Sequence, residues 1–72
     1  MLPEQYHPHD QKWIEAQLQK LPPFALRRAI EGYEKVFTES YDSEPVSYKK
    51  MNVARCAANT RLRKYVEKII TI

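Results

Sequence analysis

Residues 20–45, KLPPFALRRAIEGYEKVFTESYDSEP, decide the fold. Two breaks bracket one helical pattern. At the front, Pro22 and Pro23 cannot continue the hydrogen-bond ladder of a preceding helix, yet proline suits the first turn of the next one. At the back, YDSEP is rich in turn formers, with Asp42 and Ser43 as candidate caps and Pro45 suited to a further first turn. Between the breaks, Leu26, Ala29, Ile30, Tyr33, Val36, Phe37 and Tyr41 form one broad apolar stripe. Arg27, Glu31, Lys35 and Glu39 alternate in sign at four-residue spacing on the other face, which reads as solvated. Gly32 inside this helix costs roughly 1 kcal/mol relative to alanine, which suggests the close approach of another helix.

The flanks extend the pattern. Pro3 and Pro8 keep the first residues extended or turned, and a first helix begins near Pro8 with Asp10 beside its positive end. Its apolar positions are Trp13, Ile14, Leu18 and Leu21. Beyond Pro45, nothing obliges a third helix to stop before Ile69. Its stripe runs Met51, Ala54, Ala58, Leu62, Tyr65, Val66 and Ile69, and small residues at Ala54, Ala57 and Ala58 would admit a close neighbour. The expectation is a single all-α domain over residues 1–72. It is a compact three-helix bundle with helices over about 8–20, 23–41 and 45–69, preceded by a flexible arm at 1–7. Ile70 and Ile72 exceed what one stripe requires, and would close the core or extend an interface.

Size and composition narrow the function. A chain of 72 residues with 43% hydrophobic content is globular rather than disordered. Chains this short bury only about 60% of their unfolded surface, and a core of this size supplies roughly 3–5 kcal/mol. Oligomerisation or a partner therefore matters, and a deep substrate pocket is hard to build, so no enzymatic activity and no small-molecule substrate are expected. Cys56 is the sole cysteine. No intramolecular disulfide can form, which fits the reducing cytoplasm. The first ten residues carry neither a basic nor an apolar run of signal-peptide type, and no stretch approaches the ~20 apolar residues that span a bilayer. The expectation is a cytoplasmic protein without a membrane partner.

The net charge of +3 hides an asymmetry. Residues 1–44 hold five bases against eight acids, whereas residues 45–72 hold seven bases against Glu67 alone. Such a split points either to an anionic partner for the C-terminal part or to attraction between the halves. If the third helix packs by its apolar stripe, Asn52, Arg55, Cys56, Asn59 and Arg63 fall on one flank, and Arg61, Lys64 and Lys68 on the other. Arginine with asparagine can contact phosphates and base edges, and these seven polar residues are the candidate binding flank. The competing reading is a merely solvated helix face. A helix-turn-helix is not supplied, because the proline joint and the mixed-charge second helix break that unit.

Other constellations carry less. His7, His9 and Asp10 hint at a metal, but structural zinc usually takes four ligands at recognisable spacing and Cys56 lies far along the chain. A polar arm is the expected reading, with no metal and no cofactor. Cys56 sits among alanines as a small packed residue, without the positioned base a nucleophile needs. Glu31, Glu34 and Glu39 read as helix surface. The eight aromatics suit core or half-buried sites, and any left exposed would anchor a protein partner.

Around LPPFALRRAIEGYEKVF and AANTRLRK the chain resembles an N-terminal segment of the replication endonucleases of temperate phages. The likeness rests on Leu21-Pro22, an aromatic, arginines and a later tyrosine, then Asn59 followed by Leu62 and Arg63. It covers about a third of the chain, and the catalytic tyrosine and histidine motifs of those enzymes have no counterpart here. More broadly the chain looks like small helical accessory products of phage genomes. The resemblance implies a phage or prophage origin and assigns no functional residue. The expected function is a non-enzymatic helical binding module that docks on a protein partner or self-associates as a homodimer. Nucleic-acid binding through the basic flank of the third helix is the alternative. Charge reversal at Arg55 and Arg63 is expected to leave the fold intact and abolish capture of the partner.

Overall fold

The proline breaks fall where the backbone turns. A computed structural model describes residues 2–71. Pro8–Asp10 form a 3₁₀ turn that leads into α1, Gln11–Gln19; α2 spans Pro23–Ser43 and α3 spans Lys50–Ile70. The described residues contain no strand. The chain is an all-α three-helix bundle, in which α2 and α3 form a long antiparallel hairpin and the short α1 packs against α3. Each long helix has 21 residues, about 31 Å of rise, so the molecule measures 38 × 20 × 16 Å.

The largest boundary difference lies after α2. A third helix from residue 45 was expected, but Glu44 and Val46 are extended (ψ 117° and 111°), a 3₁₀ turn occupies Ser47–Lys49, and α3 starts at Lys50. The residue before a proline disfavours the α region, so Pro45 pushes Glu44 out of it. Lys50 then closes the joint. Its ammonium donates to the Glu44 carbonyl and to that of Tyr41, which also accepts from the Glu44 amide, and lies 5.5 Å from the Tyr41 ring centre.

The core is formed by Ile14, Leu18 and Leu21, by Ala25, Ala29, Ile30, Tyr33 and Phe37 of α2, and by Ala54, Ala58, Leu62 and Val66 of α3. Alanines on both long helices let them run close together, and Ala54 and Ala58 are wholly buried. Ala57, also expected as a contact, is half-exposed, and Met51 and Tyr41 at the turn end of the hairpin are exposed at 37% and 38%. The stretch 1–7, expected as a flexible arm, lies against the bundle over its described part. Pro3 is buried, Leu2 and Tyr6 pack on the core, and the Glu4 amide donates to the Glu34 carboxylate. Ile70 is 52% exposed and does not close the core, while Ile72 lies outside the described residues.

Candidate nucleic-acid interface

The two basic flanks of α3 have different fates. On the first, Arg55 makes a two-pronged ion pair with Asp10, Nε to Oδ2 at 2.8 Å and Nη2 to Oδ1 at 2.9 Å. Both side chains are largely shielded, at 12% exposure for Asp10 and 30% for Arg55. The hydrogen bond from Arg55 holds the Asp10 carboxyl below its ordinary range against the opposing effect of burial, and the nearby Asn59 side chain acts in the same direction. The same pair raises Arg55 above its usual value. Asn59 also accepts from the Tyr33 hydroxyl, and burial pushes that phenol up to about 12. Arg55 and Asn59 are thus committed to joining α1, α2 and α3.

Asn52 and Cys56 remain exposed beside them around a shallow depression of about 230 Å³. Arg63 stands in solvent, 3.8 Å from Glu67 one turn on. At the N-terminus, Asp10 is held by Arg55, His7 Nδ1 accepts from the His9 amide, and the two imidazoles meet edge to face at 4.6 Å. Among the described residues, no three His, Cys, Asp or Glu side chains come together as a metal-binding group.

The second flank faces a groove. Arg61, Lys64 and Lys68 line it from α3 together with Thr60 and Tyr65, and Arg28 and Val36 line it from α2. It is open and encloses about 740 Å³. Among the described residues, none of these four cations has a carboxylate within ion-pair distance. Gly32 shapes the wall, because a Cβ there would stand 2.8 Å from Arg61 Nε. The close approach expected at this glycine is therefore made by a guanidinium laid across α2, not by a helix backbone.

Arg28 was missed by sequence reasoning. Its signal was the antiparallel register: Tyr33 meets Asn59 and Gly32 meets Arg61, so one turn earlier on α2 falls beside Lys64 and Lys68. A second hollow of about 420 Å³, with Gln5, Phe37, Thr38, Tyr41, Asp42 and Met51 around it, lies toward the turn end of the hairpin. Tyr48 nearby in sequence is 79% exposed, as is Phe24 at 80% at the start of α2.

No protein-family model matches the chain, and no curated protein or solved structure matches it. No helix among the described residues is long and apolar enough to cross a membrane.

Proposed function

We propose that this chain is a small, non-enzymatic, cytoplasmic binding module that holds nucleic acid along the groove between α2 and α3. The observation that carries the reading is the convergence of Arg28, Arg61, Lys64 and Lys68 on one open groove without carboxylate partners among the described residues. Cations left in this way gain most from a polyanion, whose condensed counterions are released on binding. The origin as a phage or prophage accessory protein rests on the sequence resemblance alone and belongs to the same proposal.

The test is binding of labelled DNA followed by fluorescence anisotropy as salt is raised. Four neutralised phosphates correspond to a slope of log K against log salt of about −2.8 for a single strand and about −3.6 for a duplex. The double reversal Lys64→Glu with Lys68→Glu, at two exposed positions, is expected to weaken binding by at least about tenfold while leaving the helical circular dichroism unchanged. Absence of binding to either form of DNA at low salt sinks the reading.

A second reading, a protein partner or a second copy, is favoured by the hollow around Tyr41 and Met51, with both side chains part-exposed at its rim. Exposed aromatics and methionine of this kind serve as anchors in protein interfaces.

A further inference from the structure

Resting on that reading of the α2/α3 groove, we infer that its ligand is single-stranded nucleic acid, not a duplex. The cations lie in a valley instead of on a ridge. Arg61, Lys64 and Lys68 occupy the flank of α3 turned toward α2, where Arg28 faces them across the groove. The ridge opposite the buried stripe carries Val53, Cys56, Thr60, Lys64 and Glu67, with Arg63 at its edge. Its arginine is already 3.8 Å from Glu67. A helix that reads a duplex inserts such a ridge into the major groove and offers it donors for base edges. Here that surface breaks its donors with a valine, a thiol and a carboxylate, and three of the four groove cations, Arg28, Arg61 and Lys68, lie off it toward the groove.

A valley between two helices admits one extended strand. Its lining also mixes chemistry as single-strand sites do: charge for the backbone, and the half-buried Tyr65 ring with Val36 as a surface on which a base can stack. From Arg61 to Lys68 the helix rises roughly 10 Å, which limits direct contact to a few nucleotides. Binding is therefore expected to be modest and steeply salt-dependent, with little sequence preference.

The experiment compares a labelled twelve-residue oligothymidine with a twelve-base-pair duplex by anisotropy at 50 mM sodium chloride, using the full chain. The expected result is tighter binding of the single strand by about tenfold, in the range one stacked base contributes. Tyr65→Leu, which keeps an apolar side chain against the core, is expected to weaken single-strand binding more than duplex binding and so remove most of that preference. Should Tyr65→Leu fail to fold, Arg28→Ala at an exposed position is read instead, and a drop in the single-strand salt slope of about 0.7 is expected. Duplex binding as tight as or tighter than single-strand binding overturns this inference and leaves the nucleic-acid function standing. Failure of both oligonucleotides to bind overturns the two together.

Discussion

Arg55 shows how much one side chain's meaning depends on what faces it. Exposed ion pairs contribute little and broken buried ones cost several kcal/mol, and this pair, mostly shielded and doubly hydrogen-bonded, lies between. It ties the N-terminal segment to α3, so charge reversal at Arg55 perturbs the fold as well as any surface and is unsuitable as a test of binding. Asp10→Asn is expected to lower the thermal midpoint at pH 7 by about 5 °C. The carboxyl's folded pKa is depressed, so its stabilisation is complete above the unfolded value near 4 and disappears as pH falls through the folded value. The gap between parent and variant should hold constant from pH 7 down to about 5 and close at more acid pH, measured by urea unfolding. A gap independent of pH would mean that the ion pair contributes nothing.

At the scale of the element, α3 carries three kinds of residue on three arcs: small and aliphatic inward, pairing residues on one flank, unpaired cations on the other. Ala58 is wholly buried in the core, whereas Ala57 beside it is half-exposed. Enlarging a side chain in a packed core typically costs about 1–3 kcal/mol, and surface changes stay within about 0.5. Ala58→Leu should therefore destabilise by at least about 1 kcal/mol and Ala57→Leu by much less, as read from denaturant midpoints. Equal effects would show that the contact face is wrongly assigned. The joint before α3 belongs to this scale too. Lys50 reads as one more base in a basic segment, and only the turn at Pro45 brings its ammonium back onto the Tyr41 and Glu44 carbonyls at the end of α2.

For the whole molecule, the charge asymmetry between the two halves is resolved unevenly. Among the described residues one side-chain ion pair, Asp10 with Arg55, joins the acidic half to the basic half; the other two stay within one helix each. Attraction between the halves thus uses one of the seven bases beyond residue 44, and the groove gathers three more with Arg28. The opposite end of the hairpin bears the apolar hollow instead. If a second copy seats there, sedimentation at high protein concentration should show a dimer, and Met51→Lys should return it to monomer without lowering DNA affinity. A strictly monomeric parent removes the homodimer reading.

The three-helix architecture was legible in the residues themselves, because proline and the 3.6-residue period are local properties that the backbone obeys whatever surrounds it. The stripes of α2 and α3 were readable from Leu26 to Phe37 and from Ala54 to Val66 for the same reason. The candidate binding surface was half legible. Arg61, Lys64 and Lys68 stand together by helical spacing, but Arg28 joins them only through the register of the hairpin. Arg55 and Asn59 leave the candidate interface because Asp10 and Tyr33 reach them from 45 and 26 residues away. Periodicity says which side of a helix turns inward. Which partner each polar side chain meets is a long-range contact, and only the tertiary structure decided it.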